Sequence, residues 1–182
     1  MQSALIRALF EHNYSYNEQT ESNFEQYEAA VMKAMAEYPN EAAIIHELIR
    51  IGSDIGRLEE TCKITPGVPC KPMLAKPTKD IGSVLTRFEN KKFTCEFKYD
   101  GLRGQIHYAN GKVSIYSRNL ENMTEAYPDI VEEFQRSLGQ LGTITSFIID
   151  SEIVAIHPIT KQILPFQVLS TRSRKAAKVS EI

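Results

Sequence analysis

A lysine and an arginine lie on either side of a tight turn in residues 96–103, and together they could perform chemistry on a phosphate. Lys98 ends a stretch, residues 93–98, in which apolar and polar side chains alternate as in a β-strand. An Asp-Gly pair then turns the chain, and Arg103 begins the next extended run. A lysine fixed by a strand can act as a nucleophile, and a nearby guanidinium can bind phosphate oxygens. The spacing therefore favours a phosphate-directed nucleophile at Lys98.

The same alternation predicts which side chains share a face of this strand. Glu96 and Lys98 point to one face, so a carboxylate lies beside the amine. The apolar members, which are expected to point into a core, are Phe93, Cys95 and Phe97. On spacing alone, a plain hairpin with an Asp-Gly turn and two surface cations stays open as the alternative.

Two carboxylates lie within a strongly apolar run, residues 147–157, which predicts another strand. Asp150 and Glu152 share one face of that strand. Because a strand this apolar is expected to be buried on both sides, both carboxylates need cations or hydroxyl groups as partners. The residues alone leave two interpretations open, namely ion pairs inside the sheet or binding of a ligand.

Further arginines follow these strands. Arg118 comes directly after a predicted strand, where it is either a plain surface residue or a bidentate phosphate contact. A basic cluster near the end of the sequence is most simply a solvated surface, with contact to a nucleic-acid backbone as the second option. Its members are Arg172, Arg174, Lys175 and Lys178.

The elements that must position these residues fall into a helical part and a mixed part, which predicts an α+β fold. Apolar side chains at helical spacing predict a helix over residues 21–38, and Asn40 can cap a second helix. Two prolines and a glycine in residues 64–70 predict a linker. Beyond it we expect, in order, a helix over residues 81–89, a hairpin over 103–117 that turns at Asn110-Gly111, a helix over 128–138 and the strand over 147–157.

Composition excludes several classes of protein. No run of about twenty apolar residues is present, so we expect no membrane span, and the start of the sequence does not resemble a signal peptide. The three cysteines form no C-x-x-C pair, which predicts reduced thiols and no zinc site. Residues 1–60 hold four basic and eleven acidic side chains, a net charge of −7, whereas residues 61–182 carry +5. The second part therefore has the sign needed to bind phosphates.

Several stretches resemble, in the same order, the motifs of one enzyme family. Lys98-x-Asp100-Gly101-x-Arg103 is similar to the nucleotidyltransferase signature of ATP-dependent DNA ligases, RNA ligases and mRNA capping enzymes. The other matching stretches are Pro72-Met73-Leu74-Ala75, Ser117-Arg118-Asn119, residues 147–155 and residues 165–169. Taken together they resemble the DNA ligase I group of ATP-dependent ligases, over about residues 55–182.

This resemblance implies an organisation of the chain and a set of site residues. It implies the last helices of a DNA-binding domain at residues 1–63, a linker at 64–70, and the first part of an antiparallel-sheet adenylation domain, of the ATP-grasp-like ligase type, at 71–182. The implied cofactors are ATP and Mg²⁺. Lys98 is expected to form a covalent adduct with AMP. The residues expected to bind the nucleotide are Glu96, Arg103, Arg118 and Glu152, with Glu152 also near the metal.

The resemblance further implies nicked double-stranded DNA as a partner, a sliding clamp bound through regions outside this chain, and roles in replication, repair and recombination. The expected location is the nucleus, or the cytoplasm if the source has none. Further nucleotide-binding motifs and an OB-fold domain are expected beyond residue 182, so we expect this chain alone to seal nicks poorly or not at all. An RNA ligase or capping enzyme, or a truncated DNA-binding piece without catalysis, stays open as an alternative.

Overall fold

Helices make up the first part of the chain. The computed structural model describes residues 2–14, 20–52, 54–141 and 143–171, and within these ranges it begins with four helices. They are α1 (Gln2–Asn13), α2 (Thr20–Glu37), α3 (Glu41–Ile51) and α4 (Gly56–Thr61). The helices expected before and after Asn40 are confirmed as α2 and α3, whereas α1 was not anticipated.

One apolar cluster holds these four helices together. Asn40 caps α3, because its side-chain oxygen accepts a hydrogen bond from the amide of Ala43. The largest fully buried side chains of the cluster are Phe10, Tyr27, Val31, Ile44, Leu48 and Leu58. These residues come from all four helices and recur at helical spacing in α2 and α3. The apolar periodicity of the sequence therefore predicts correctly which side chains of these two helices are buried.

A nearly buried carboxylate joins α3 to α4. Glu47 accepts hydrogen bonds from the Nε of Arg50, at 2.8 Å, and from the hydroxyl of Thr61, at 3.0 Å. The hydrogen bonds from Arg50 and Thr61 outweigh partial burial and lower the pKa of Glu47 to about 2. The folded state therefore favours the ionised carboxylate.

This network predicts an acid-dependent loss of stability. Since the pKa of Glu47 is about 2 in the folded chain and ordinarily 4.5 for a glutamate, its contribution to stability is complete above about pH 4.5 and is lost as the pH falls towards 2. We expect Glu47→Gln to lower the urea midpoint at pH 7, and the difference from wild type to shrink as the pH falls from 4.5. Urea unfolding of both proteins between pH 7 and pH 2.5 measures this.

Glu133→Gln is the matched control for that experiment. Glu133 also pairs with an arginine three positions along its helix, Arg136, but the side chains of both residues are more than half exposed. An exposed pair of this kind contributes little to stability. An equal loss of stability in Glu133→Gln and Glu47→Gln would contradict the role assigned to Glu47.

The second part of the chain is built on a small antiparallel sheet. Its strands are β1 (Leu102–Ala109), β2 (Lys112–Ser117) and β3 (Ser146–Ile153), in the order β2-β1-β3. β1 and β2 form the expected hairpin, and Asn110 and Gly111 take positive φ angles of 52° and 76° at its turn. The expected helices near residues 81–89 and 128–138 are also present, as α5 (Ile81–Arg87) and α6 (Pro128–Leu141). A short helix, α7 (Phe166–Ser170), follows β3. The α+β class is thus confirmed.

The two faces of the sheet differ sharply in polarity. One face joins α6 in a second apolar cluster, whose most buried members include Ile106, Val113, Ile115 and Ile153. The other face is polar, since the strand register places Arg103, Gln105 and His107 of β1 beside Glu152, Asp150 and Ile148 of β3, in that order. The polar face therefore carries the charged side chains Arg103, Asp150 and Glu152.

Two expectations about strands were wrong. Residues 91–99 form no strand, and Phe93 and Phe97 are 43% and 86% exposed rather than inside a core. Alternation fits a strand but does not provide a partner, and both edges of β1 are already taken by β2 and β3. The run at 147–157 is also not buried on both sides, because β3 is an edge strand among the described residues and Ile149 is 40% exposed. Within the described ranges, no helix has the length and apolar character to cross a bilayer.

Candidate functional site

The strand register brings the expected site residues to one end of the sheet. β1 starts at this end, and β2 and β3 finish there, because both run antiparallel to β1. Arg103 lies directly opposite Glu152, and Ser117, which precedes Arg118, lies opposite Gly104. Residues far apart in the sequence therefore meet at one end of the sheet.

The Asp-Gly turn keeps Lys98 near this end of the sheet. At Gly101, a Cβ atom would lie 2.2 Å from the carbonyl oxygen of Ile153 and 3.0 Å from the Cγ of Glu152. Only a residue without a side chain permits so close a contact with the main chain of β3. Since three residues of extended chain span at most about 11 Å, this contact keeps Lys98 near the end of β3.

The side chains of Glu96 and Lys98 are open to solvent. Every residue from 91 to 100 is exposed, and the segment carries neither helix nor strand. Phe97 and Tyr99 flank Lys98, and their rings lie 6.4 Å apart. The amine of Lys98 is thus accessible to a ligand in solution, while the turn that follows it is fixed.

Arg103 is held in place by three hydrogen bonds. Its Nε and Nη2 donate to the two carboxylate oxygens of Asp150, at 3.0 and 2.6 Å, and its Nη1 donates to the carbonyl oxygen of Met73, at 2.9 Å. The hydrogen bonds to Asp150 are the main reason why the pKa of Arg103 is raised. Asp150 therefore pairs with Arg103 and orients its guanidinium. This pairing fits the interpretation of Asp150 as part of an ion pair within the sheet.

Arg118 lies in a turn that leaves the same end of β2. The amide of Ser117 donates to the carbonyl of Glu121, and the amide of Leu120 donates to the carbonyl of Ser117. Leu120 takes a positive φ of 67° in this turn, and the side chain of Arg118 is exposed. The turn fixes the main chain at Arg118 and leaves its guanidinium open to an anion.

The carboxylates at this end of the sheet fit only one mode of metal binding. In the described part of the chain, no group of three or more histidine, cysteine, aspartate or glutamate side chains could enclose a metal ion. Glu152 is exposed, and Asp150 is engaged by Arg103. Mg²⁺ commonly uses one or two carboxylates together with substrate phosphates and water. Glu152 fits that mode, in which the nucleotide would supply the remaining ligands.

Sequence reasoning missed the polar residues that cover this face. Gln105, His107 and Tyr116 are buried, and all three form hydrogen bonds to residues 67–70. The sequence signal for Gln105 and His107 was that they alternate, together with Arg103, with apolar residues in β1, which marks a polar face. The basic cluster Arg172, Arg174, Lys175 and Lys178 lies outside the described residues.

Comparison with known proteins gives one consistent result. Residues 72–182 match the model of a family described as "ATP dependent DNA ligase domain". The chain is 50% identical over 151 residues to "DNA ligase 1" of Drosophila melanogaster, covering 82% of this chain and 20% of that protein. It is 44% identical over 166 residues to "DNA ligase 1" of Dictyostelium discoideum, covering 91% of this chain and 14% of that protein.

A further relative matches along the whole chain. It is "DNA ligase 3" of Schizosaccharomyces pombe, 39% identical over 189 residues, covering 100% of this chain and 24% of that protein. The chain thus spans between 14% and 24% of the length of these relatives.

Proposed function

The chain belongs to the family of ATP-dependent DNA ligases, and from this premise we propose that it provides the nucleophile and part of the nucleotide-binding surface of such a ligase. The observation that carries the proposal is the meeting of Arg103, Arg118, Glu152 and the tethered Lys98 at one end of the sheet. Those residues come from three separate stretches of the sequence, at residues 98–103, 118 and 152, which the strand register brings to the same end of the sheet.

Lys98 is proposed to carry out the first step. The lone pair of its neutral Nζ attacks the α-phosphorus of ATP, and a nitrogen–phosphorus bond forms. The bond from the α-phosphorus to the bridging oxygen breaks, and pyrophosphate leaves with that electron pair. The amine loses a proton to solvent, and the product is a lysine–AMP phosphoramidate. Exposure of Lys98 leaves room for the nucleotide, and the fixed turn behind it limits the search for an in-line geometry.

The surrounding side chains are proposed to bind the nucleotide. Glu96 is placed beside the adenine, Arg103 and Arg118 near the ribose and phosphates, and Glu152 near the ribose and Mg²⁺. Bound Mg²⁺ would neutralise charge on the phosphates. Arg103 is already held by Asp150 and Met73, so its charge needs little reorganisation when a phosphate arrives.

Later steps and cellular roles are proposed from the family. The adenylate would pass to the 5′-phosphate of a nick in double-stranded DNA, and the 3′-hydroxyl would then attack that phosphate and release AMP. Replication, repair and recombination are the proposed settings, the nucleus is the proposed location, and a sliding clamp is a proposed partner through regions outside this chain. The net charge of +5 in residues 61–182 supports contact with a phosphate backbone.

The first test is to find where AMP becomes attached. The chain is incubated with α-labelled ATP and Mg²⁺, digested, and analysed by mass spectrometry for an acid-labile adduct. We expect one adenylate on the peptide that contains Lys98. An adduct on a different lysine would overturn the proposal, as would its absence both here and in a longer ligase containing this chain.

A choice of substrate separates the alternatives. The relatives reported above are named DNA ligases, which favours DNA over an RNA ligase or capping activity. With a longer protein that contains this chain, we expect sealing of nicked DNA and not of nicked RNA. DNA binding without any adenylate adduct would instead support the truncated, non-catalytic alternative.

Removing the charge of Asp150 tests the support of Arg103. Asp150→Asn weakens the two hydrogen bonds that orient the guanidinium, so we expect adenylation to slow by about tenfold, because hydrogen bonds to charged groups contribute about 1.5–3 kcal/mol. The pair is partly exposed, so we expect the free energy of unfolding to change by less than about 1 kcal/mol. Rates of adduct formation and urea unfolding measure the two effects. Glu132→Gln, on the exposed side of α6, is the control, and an equal slowing there would contradict the assignment.

A further inference from the structure

Residues 67–73, here called the strap, cross the polar face of the sheet. Gln105 makes two hydrogen bonds to Cys70, in which its Oε1 accepts from the Cys70 amide at 3.0 Å and its Nε2 donates to the Cys70 carbonyl at 2.6 Å. A side-chain amide that pairs in this way replaces the main-chain partner that a strand would provide. The main chain of the strap is therefore hydrogen-bonded to β1 at Cys70.

The N-terminal end of the strap is held by two more buried side chains. The amide of Gly67 donates to the Nδ1 of His107 at 3.0 Å, and the hydroxyl of Tyr116 donates to the carbonyl of Gly67 at 2.7 Å. Because Nδ1 accepts, His107 is neutral with its proton on Nε2, which lies 3.3 Å from the Oε1 of Gln105. Gly67 and Cys70 are thus joined through one continuous hydrogen-bonded network.

The strap also contacts the helical part. The amide of Lys71 donates to the carbonyl of Ala36, at 2.8 Å, in the last turn of α2. Amides of consecutive residues in an extended chain point to opposite sides, so Cys70 faces the sheet and Lys71 faces the helix. This bond satisfies one of the carbonyls that the end of a helix leaves unpaired.

We propose that the strap is a positioning element for Arg103, with Gln105 as the residue that fixes it. Two residues after Lys71, the carbonyl of Met73 accepts a hydrogen bond from the Nη1 of Arg103. Gln105 acts on Arg103 through Cys70 and the main chain of the strap, without touching the nucleotide. The proposal rests on the role of Arg103 in nucleotide binding given above. It adds that the helical part, through α2 and Lys71, is mechanically coupled to that arginine.

The three cysteines provide reporters for this proposal in the chain as it stands. Cys62 is buried in the helical cluster, Cys70 is partly buried in the strap, and Cys95 is exposed near Lys98. Labelling with N-ethylmaleimide, followed residue by residue by mass spectrometry, therefore reports three events. Cys95 gives the unhindered rate, Cys70 reports release of the strap, and Cys62 reports unfolding of the helical part.

Two variants release the strap by different contacts. Gln105→Met keeps the length of the side chain and removes both hydrogen bonds to Cys70, so we expect Cys70 to label about tenfold faster while Cys62 is unchanged. Tyr116→Phe removes one hydroxyl, so we expect a smaller increase in the rate of Cys70 labelling. It replaces Gln105→Met in the experiment if fast labelling of Cys62 shows that Gln105→Met is unfolded. Ser151→Ala is the control, because it removes a hydrogen bond to Gly104 on the opposite face of the sheet. Unchanged Cys70 labelling in both strap variants overturns the proposal.

Coupling to Arg103 is measured without any nucleotide. Arg103→Lys loses the guanidinium fork, so we expect Cys70 to label faster in this variant as well. If the strap and Arg103 are coupled, Cys70 in the double variant Arg103→Lys/Gln105→Met labels more slowly than expected from multiplying the rate increases of the two single variants. Independent effects, which multiply, overturn the positioning role whatever the chain does with ATP.

The nucleotide measurement then separates this proposal from the proposed function. In Gln105→Met we expect the ATP concentration for half-maximal adenylation to rise about fivefold, with a smaller change in the maximal rate. Faster Cys70 labelling with unchanged ATP dependence overturns the positioning role. Absence of adenylation in all of these proteins and in a longer ligase containing the chain counts against the proposed function alone.

Discussion

Replacing Lys98 by alanine is expected to abolish the AMP adduct, reducing its rate of formation by at least about a thousandfold. Without the amine there is no atom to form the bond to the α-phosphorus. Lys98→Arg is expected to be equally inactive, because it keeps the charge and replaces the nucleophile by a guanidinium that stays protonated. The arginine variant therefore separates nucleophilic attack from simple attraction of the triphosphate.

The environment of Lys98 makes this a clean measurement. Its side chain is exposed, so we expect both variants to unfold at the urea midpoint of the wild-type chain. Lys92→Ala is the matched control, because Lys92 is an exposed lysine of the same irregular segment. Adduct formation in Lys98→Arg, or its loss in Lys92→Ala, would show that another group is the nucleophile.

A methyl group at Gly101 is expected to disturb both the sheet and the site. In Gly101→Ala the added Cβ would meet the carbonyl oxygen of Ile153, which belongs to the main chain and cannot turn away. Either the turn or the end of β3 must move, which we expect to cost about 1–3 kcal/mol in the free energy of unfolding. Since the same contact keeps Lys98 near the end of β3, we also expect adenylation to slow by at least about tenfold.

Gly104→Ala is the matched control for this effect. A Cβ there would lie 2.7 Å from the Cδ1 of Ile153, the end of a side chain that can rotate. We expect a smaller loss of stability and a rate within about threefold of wild type. Urea unfolding and the rate of adduct formation measure both variants, and a Gly104→Ala effect as large as that of Gly101→Ala would contradict the explanation.

Local patterns in the sequence were sufficient for much of the fold. Asn110-Gly111 predicted the hairpin because few other pairs accept two positive φ angles, and Asn40 predicted the start of α3 because its side chain can cap the helix. The site followed from the order of the motifs rather than from periodicity. The roles of Lys98, Glu96, Arg103, Arg118 and Glu152 stay predictions.

Features that depend on distant parts of the chain could not be predicted in this way. The alternation in residues 93–98 resembles a strand, but nothing in those residues says which strand would pair with them. The edge position of β3 depends on the order of the sheet, which its own composition does not reveal. The strap depends on pairs such as Cys70 and Gln105, 35 residues apart.

The separation of the two apolar clusters has a consequence for how the chain loses its structure. Within the described residues, the cluster of the four helices and the cluster beneath the sheet have no member in common. Each can therefore open as a cooperative unit of its own, with the strap as a hydrogen-bonded link between them. Acid acts on the two units through different groups, namely Glu47 in the helical unit and His107 in the sheet unit, where burial lowers the pKa of the imidazole below its usual value of 6.5. As the pH falls below about 6.5, protonation of His107 should therefore weaken amide protection in β1 and at Gly67 first, whereas α3 and α4 should keep theirs until the pH falls below about 4.5.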